Sequence, residues 1–501
     1  MALLAQLAVF PLLFCLSSAS PLPNIVLVIA DDLGFGGVSW APAGDLLTPA
    51  LDALRQESVL LSSYYAYKYC SPSRASLLTG RFPYKTESTR NNLIPYSQEE
   101  GVNLNFTFLP QRLKAAGYAT HGVGKWHQGL WRAALTPTRR GFDSFRGFLA
   151  GGQDHFNQDS FGECGCAQKD MWGDGAVNAT GENEYNAFRF TARAVEVIEA
   201  AGAAGPGAPL FLYVALQNVH APIEADPSFS RLYPNIKYDL RRNWNAMVST
   251  MDSSVGNITG ALKRAGLWDN TLLWWASDNG SPVQVGGTNF PLRGSKGSNW
   301  EGGVRVPAMV GGGLVPPAQR GTARGGLVHV SDIYATVLTL AGLPPQDGTW
   351  APVDGLNVWP YVSGTAPASP RSLIVHEHNL FDGPPSHGAL RSGDLKLVIQ
   401  AEPSADWYGL SSAGNFCPPE SGTQKFPTQC SISAPCLFNV TADPEERTDL
   451  AASRPGDVAA LTTLFRSFDA EHHPPTAAPQ RSKAACCNVS AANGGFLAPW
   501  G

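Results

Sequence analysis

Asp31, Asp32, Asp278 and Asn279 occupy two short polar runs, Asp31-Asp32-Leu33-Gly34 and Ser277-Asp278-Asn279-Gly280, each placed directly after an apolar stretch. Carboxylate and amide oxygens are hard donors that suit a divalent cation of the calcium or magnesium type, whereas zinc draws on histidine or thiolate. A single Asp at a loop start is an ordinary cap. Four such donors at two strand ends form a ligand cluster. A second group could handle an anion: Arg74, Lys125 and Lys296 supply positive charge, and His127 and His220 can hydrogen-bond or move protons. Lys125 and His127 lie two apart, so an extended segment turns both toward one side. Cys70 opens the run Cys70-Ser71-Pro72-Ser73-Arg74-Ala75-Ser76-Leu77-Leu78-Thr79-Gly80-Arg81. Pro72 fits a first helical turn and Gly80 a helix end, so Cys70 is predicted beside unpaired backbone N–H groups, with Arg74 pointing back toward it. A lowered-pKa nucleophilic thiol is one chemistry open to such a cysteine; a structural cysteine capping a helix is the plain alternative.

The elements that must position these residues read as alternating strands and helices. Asn24 to Ala30 and Leu210 to Leu216 are continuous apolar runs, as expected for strands buried on both faces of a largely parallel sheet. They stop at Asp31 and at Gln217-Asn218-Val219-His220, and a third strand, Thr271 to Ala276, stops just before Ser277 and Asp278. Ligands in open α/β sheets bind outside the carboxyl ends of strands. Helices are expected from Thr48-Pro49 to Leu60 with Thr48 as N-cap, over Asn105 to Ala116, over Ala192 to Ala200 and over Ser331 to Leu340. A short strand is expected near Tyr118 to Val123. Val248, Met251, Val255, Ile258 and Leu262 recur at steps of three and four, which gives a helix with one apolar face and makes Met251 a core residue. Gly151 to Glu184, rich in Gly, Asn and Asp, reads as a long irregular excursion, a lid or pocket wall. The fold class is α/β: a large mostly parallel or mixed sheet flanked by helices, spanning residues 20–365. A smaller C-terminal α+β domain with an antiparallel sheet follows over residues 366–501, after a Pro/Ser/Ala-rich stretch near Ala366.

A net charge of -5 gives no basic footprint for nucleic acid, so an anionic substrate needs a local positive pocket. Hydrophobic residues at 44% exclude wholesale disorder, and 52 Gly with 39 Pro point to many turns and ordered loops. Residues 1–19 form an apolar run, broken by Pro11 and ending in small residues, that reads as a cleaved signal peptide rather than a membrane anchor. Sequons at Asn105, Asn178, Asn257, Asn439 and Asn488 agree with a secretory route. Of nine cysteines, Cys15 lies in the signal and Cys70 in the reactive segment. Cys164, Cys166, Cys417, Cys430, Cys436, Cys486 and Cys487 remain, an odd set that leaves at least one outside intramolecular pairs.

The Cys70 segment, C-S-P-S-R followed by L-L-T-G-R, resembles the signature of the type I sulfatases, formylglycine-dependent members of the alkaline-phosphatase-like superfamily. The similarity extends to Gly122-Val123-Gly124-Lys125-Trp126-His127, to Gln217 through Pro222, to Ser277 through Gly280 and to Leu292-Arg293-Gly294-Ser295-Lys296. Arg140 to Phe145 and Trp300 to Arg305 further resemble the arylsulfatase B branch, which acts on N-acetylgalactosamine 4-sulfate. The resemblance implies that a formylglycine-generating enzyme oxidises Cys70 on the incoming chain, reading Pro72 and Arg74. It also implies that Ca2+, with Mg2+ as the alternative, binds Asp31, Asp32, Asp278, Asn279 and an oxygen of the modified Cys70.

The mechanism so implied is sulfate-ester hydrolysis through a covalent sulfo-enzyme intermediate on hydrated formylglycine, releasing inorganic sulfate. His220, assisted by Lys296, protonates the leaving group, and His127 deprotonates the second hydroxyl, with Arg74 and Lys125 holding the anion. The expected substrate is a sulfated carbohydrate or an aryl sulfate, and the expected compartment is secreted, lysosomal or periplasmic. Two readings compete: a phosphomonoester or phosphonate hydrolase on the same scaffold, and a secreted binding protein in which Cys70 stays a thiol.

Overall fold

The computed structural model describes all residues except 1–20, 43, 87–92, 179–182, 206, 350, 381–384, 401, 403–405, 409–422, 425–429 and 472–481. The signal-peptide reading and Cys417 therefore lie outside the described residues. Five strands build the middle of a ten-stranded sheet, in the order Thr271–Ser277, β1 (Asn24–Ala30), Leu210–Ala215, Ala119–Lys125 and Ser144–Phe148. All four pairings among them are parallel. Ala308–Gly311 adds to Thr271–Ser277 in antiparallel sense, and Trp172–Gly173 does so at the far side, which makes the sheet mixed.

Alternation along β1 assigns its two faces. Ile25, Leu27 and Ile29 join one core with Leu77 and Leu78, Leu109 and Leu113, and the helix Asp332–Leu340. Val26, Val28 and Ala30 join the other, with the helices Asn186–Ala203 and Asp239–Arg264. Met251 is fully buried on the latter helix, as its spacing requires. Helices thus cover both faces, the arrangement a parallel sheet needs.

Boundaries differ from the sequence expectations for local reasons. Helix α1 runs over Pro49–Gln56 and stops short of Leu60, because Val59–Leu61 is recruited as a strand beside Ala308–Gly311. Thr48 makes no side-chain cap there; its hydroxyl accepts the Ser39 N–H at 3.0 Å instead. The helix expected from Asn105 begins only at Leu109, with Pro110 in its first turn, while Asn105 donates its N–H to Asn103 Oδ1 in a preceding turn. The helix expected over Ala192 to Ala200 extends to Asn186–Ala203.

A separate four-stranded antiparallel sheet runs Leu373–Asn379, His387–Ser392, Leu395–Val398, Cys436–Asn439. Helix Pro455–Ser467 packs on it through Phe465. The chain then returns: helix Lys483–Ala492 carries Cys486 and Cys487, which form disulfides with Cys164 and Cys166 of the Gly151 to Glu184 excursion. A third disulfide among the described residues joins Cys430 and Cys436. Among the described residues no helix is long and apolar enough to cross a membrane.

Candidate active site

The carboxyl ends of four neighbouring parallel strands deliver the site. β1 runs into Asp31 and Asp32, Thr271–Ser277 into Asp278 and Asn279, Ala119–Lys125 ends on Lys125 and leads to His127, and Leu210–Ala215 leads to His220. Backbone bonds lock these ends together: Asp31 N–H donates to the Asn218 carbonyl at 3.0 Å, Val219 N–H to the Asp31 carbonyl at 2.6 Å, and Asp278 N–H to the Ala30 carbonyl at 3.1 Å. Asp32 and His127 both adopt positive φ, 62° and 53°, a conformation costly for non-glycine residues and common where strain serves a site.

Cys70 is the first residue of α2 (Cys70–Thr79), which ends at Gly80 with φ 72° as its sequence predicts. All ten side chains of α2 are buried. The Lys296 ammonium lies 3.7 Å from the Cys70 sulfur. Burial would push the thiol up, but the Lys125 and Lys296 charges and hydrogen bonds from His127 and His220 outweigh it and hold the group well below the usual thiol range.

Each cation is matched to a carboxylate. Arg74 donates from Nε and Nη2 to Asp278 Oδ2 at 2.9 and 2.7 Å, with Asp31 Oδ2 at 3.6 Å. Lys125 Nζ donates to Asp31 Oδ2 at 2.6 Å, and Lys296 Nζ lies 2.6 Å from Asp32 Oδ1. Burial and then the neighbouring Asp31 charge raise the Asp278 carboxyl to about 7, despite Arg74. Burial pushes the His127 imidazole down. For His220, burial and Lys296 press downward, yet Asp32 and Asp31 prevail and raise it. His220 Nδ1–H donates to the Ala221 carbonyl at 2.7 Å, which fixes the ring and leaves Nε2 facing Asp32 Oδ2 at 3.8 Å.

The donor set suits a hard cation. One carboxylate oxygen from each of Asp31, Asp32 and Asp278 falls within 4.8 Å of the others. Asp31 Oδ1 and Asn279 Oδ1 are buried and have no hydrogen-bond partner, while Asn279 Nδ2 donates to Asp32 Oδ1 at 2.6 Å. Buried oxygens are otherwise nearly always satisfied.

All ten residues predicted to act here come together. The sequence reading missed the supports. Gly151 and Gly152 run directly against both histidines: a Cβ on Gly151 would lie 2.7 Å from His127 Cε1, and one on Gly152 3.1 Å from His220 Cε1. His155 Nε2–H donates to the His220 carbonyl at 2.9 Å. Lys68, two residues before Cys70, pairs at 2.5 Å with Glu377 on the first strand of the small sheet, tying that sheet to the reactive segment. The Gly-Gly pair after a strand was the readable signal; His155 and Glu377 carried none.

Residues 23–343 match the sulfatase family model. Mouse (Mus musculus) arylsulfatase J is 34% identical over 95% of this chain and 80% of its own length. Mouse N-acetylgalactosamine-6-sulfatase is 30% identical over 94% and 90%. Among solved structures, Ps i-CgsB in complex with k-i-k-neocarrahexaose superposes with a TM-score of 0.75 at 26% identity, covering 94% of this chain and 96% of that one. A phosphonate monoester hydrolase of Agrobacterium radiobacter, at 16% identity, a TM-score of 0.58 and coverage of 92% and 97%, shares the fold alone. The chain belongs to the sulfatase family and is a sulfuric ester hydrolase.

Proposed function

We propose that this enzyme removes sulfate from a sulfated carbohydrate, using formylglycine made from Cys70 and a calcium ion. The observation that carries the reading is the convergence on Cys70 of two histidines and two lysines beside three clustered carboxylates, of which Asp31 keeps a buried Oδ1 with no hydrogen-bond partner. The Cys70 sulfur stands where a hydroxyl of hydrated formylglycine would be, and the same donors suit oxygen better than sulfur. That hydrate supplies one hydroxyl to attack sulfur and a second whose proton can be withdrawn to expel sulfate. Asp31, Asp32, Asp278 and Asn279 would hold the calcium ion, which supplies positive charge at the sulfate oxygens.

The chain's own groups do the rest. Arg74 grips Asp278 through two N–H bonds and so fixes a carboxylate that would otherwise repel Asp31. Lys125 does the same for Asp31. Lys296 reaches both Asp32 and position 70, where it meets charge developing on the transferring group. His220, held by the Ala221 carbonyl, presents Nε2 to the leaving oxygen as general acid. His127, buried and biased toward its neutral form, is the base for the second hydroxyl.

A secretory location agrees with the three disulfides among the described residues, since disulfides persist in oxidising compartments. A division near residue 365 agrees with the start of the small sheet at Leu373. The test combines mass spectrometry of the Cys70 peptide with parallel turnover of sulfate and phosphate esters. Formylglycine with sulfate preference is expected. An unmodified thiol in a fully active enzyme, or preferential phosphate turnover, overturns the proposal.

A further inference from the structure

Phe161, in the excursion between Gly151 and Glu184, is 51% exposed, the highest value among the large hydrophobic side chains described. Its ring nevertheless has a defined partner. It stacks on His220 with centroids 6.1 Å apart and planes at 19°. Gly152 permits the contact, since a Cβ there would stand 2.7 Å from Phe161 Cε2 as well as 3.1 Å from His220 Cε1. An apolar ring in water beside the imidazole that faces the leaving group offers a flat surface where that group must lie.

The segment bearing Phe161 is firmly held. Bridges pair Gln153 with Ser160 and Asp159 with Lys169, and Ser160 N–H donates to the Gln168 carbonyl at 2.8 Å. Two residues on, Glu163 exchanges two bonds with Tyr96: its N–H donates to the Tyr96 hydroxyl at 2.6 Å and its carboxylate accepts the Tyr96 N–H at 2.9 Å. The Cys164–Cys486 and Cys166–Cys487 disulfides then anchor the segment to the last helix. A preorganised aromatic surface binds without first paying to order a loop.

We propose that Phe161 is a specificity-determining residue whose ring receives the face of a six-membered ring carrying the sulfate, and so selects cyclic esters over those of small open-chain alcohols. The proposal rests on the sulfatase reading above. The shared chemistry is an apolar ring face adjoining the ester oxygen: the C–H face of a pyranose or the π face of a phenol, either of which packs on an aromatic ring.

The experiment measures kcat and KM of wild type, Phe161→Ala and Phe161→Trp on N-acetylgalactosamine 4-sulfate, 4-nitrophenyl sulfate and methyl sulfate, with formylglycine content at position 70 verified in each preparation. Because Phe161 is exposed, folding is expected to survive both changes. For Phe161→Ala, kcat/KM on a cyclic ester relative to methyl sulfate is expected to fall about fivefold, chiefly through KM, with Phe161→Trp restoring the ratio. A fall with the sugar ester assigns the surface to carbohydrate, and a fall confined to the aryl ester assigns it to phenols. Unchanged ratios, or an equal loss of kcat on all three esters, overturn the proposal, the latter making Phe161 only a support for His220. A modified wild-type enzyme that cleaves none of the three overturns the sulfatase reading itself, and the platform with it.

Discussion

Lys296 stands between two partners, with its Nζ 2.6 Å from Asp32 Oδ1 and 3.7 Å from the sulfur of Cys70. It therefore links the carboxylate cluster to the reacting position. Replacing it with Ala removes a charged donor and leaves Asp32 buried without its cation. Turnover of a sulfate ester should fall by about two orders of magnitude, the loss typical of one transition-state donor. Steady-state kinetics on purified enzyme with verified formylglycine check this; unchanged kcat and KM contradict the role.

Gly151 gives a different kind of test, because it touches no reacting atom. In Gly151→Ala the new Cβ would meet the His127 ring at 2.7 Å, so the imidazole must tilt. Reaction geometry is sensitive to displacements of this size. We expect kcat to drop about tenfold while KM and melting temperature change little. A wild-type kcat would show that His127 tolerates the shift.

Chelation should act on stability as well as activity. Three buried carboxylates within 4.8 Å repel one another, and a divalent cation relieves that repulsion. Differential scanning fluorimetry should show a lower melting temperature after EDTA treatment, recovered by Ca2+ at lower concentration than by Mg2+. At a hundredfold excess over Kd the stabilisation is about 2.7 kcal/mol. An identical melting curve with and without chelator would count against a bound ion.

The acid side of the stability profile carries a contribution from His376. It is buried 1% exposed, neither ring nitrogen has a hydrogen-bond partner, and burial holds it well below the 6.5 of a free imidazole, with the Lys396 charge adding to the effect. The unfolded chain takes up this proton as pH falls through 6.5 and the folded chain does not. Stability is therefore lost below that pH, by at most about 1.4 kcal/mol per pH unit for one proton. His376→Phe should flatten denaturant-measured stability between pH 7 and pH 5. An unaltered slope would mean that other groups set it.

The chemistry was legible in the sequence because its residues sit at the ends of apolar strands. A strand buried on both faces is a continuous hydrophobic run, and the polar residue that ends it is conspicuous. Asp31, His220 and Asp278 emerged this way, whereas Lys125 was read from its charge and its spacing to His127. Pairing was less legible. Arg74 could be read as a cation near Cys70, but not as the partner of Asp278, 204 residues away. The Cys164–Cys486 link closes a separation of 322 residues, which spacing cannot encode. Helix ends shifted where tertiary demand competed with local pattern, as when Val59–Leu61 left α1 to join the sheet beside Ala308–Gly311.

Helix α2 is buried along its whole length, including the Pro72 and Arg74 side chains beside Cys70. The proposed conversion of Cys70 to formylglycine would therefore require the helix to be undocked when the residue is oxidised. The excursion, by contrast, is stapled to the helix Lys483–Ala492 through Cys486 and Cys487. If Cys70 is oxidised as proposed, the change has to come before its helix is sealed into the core.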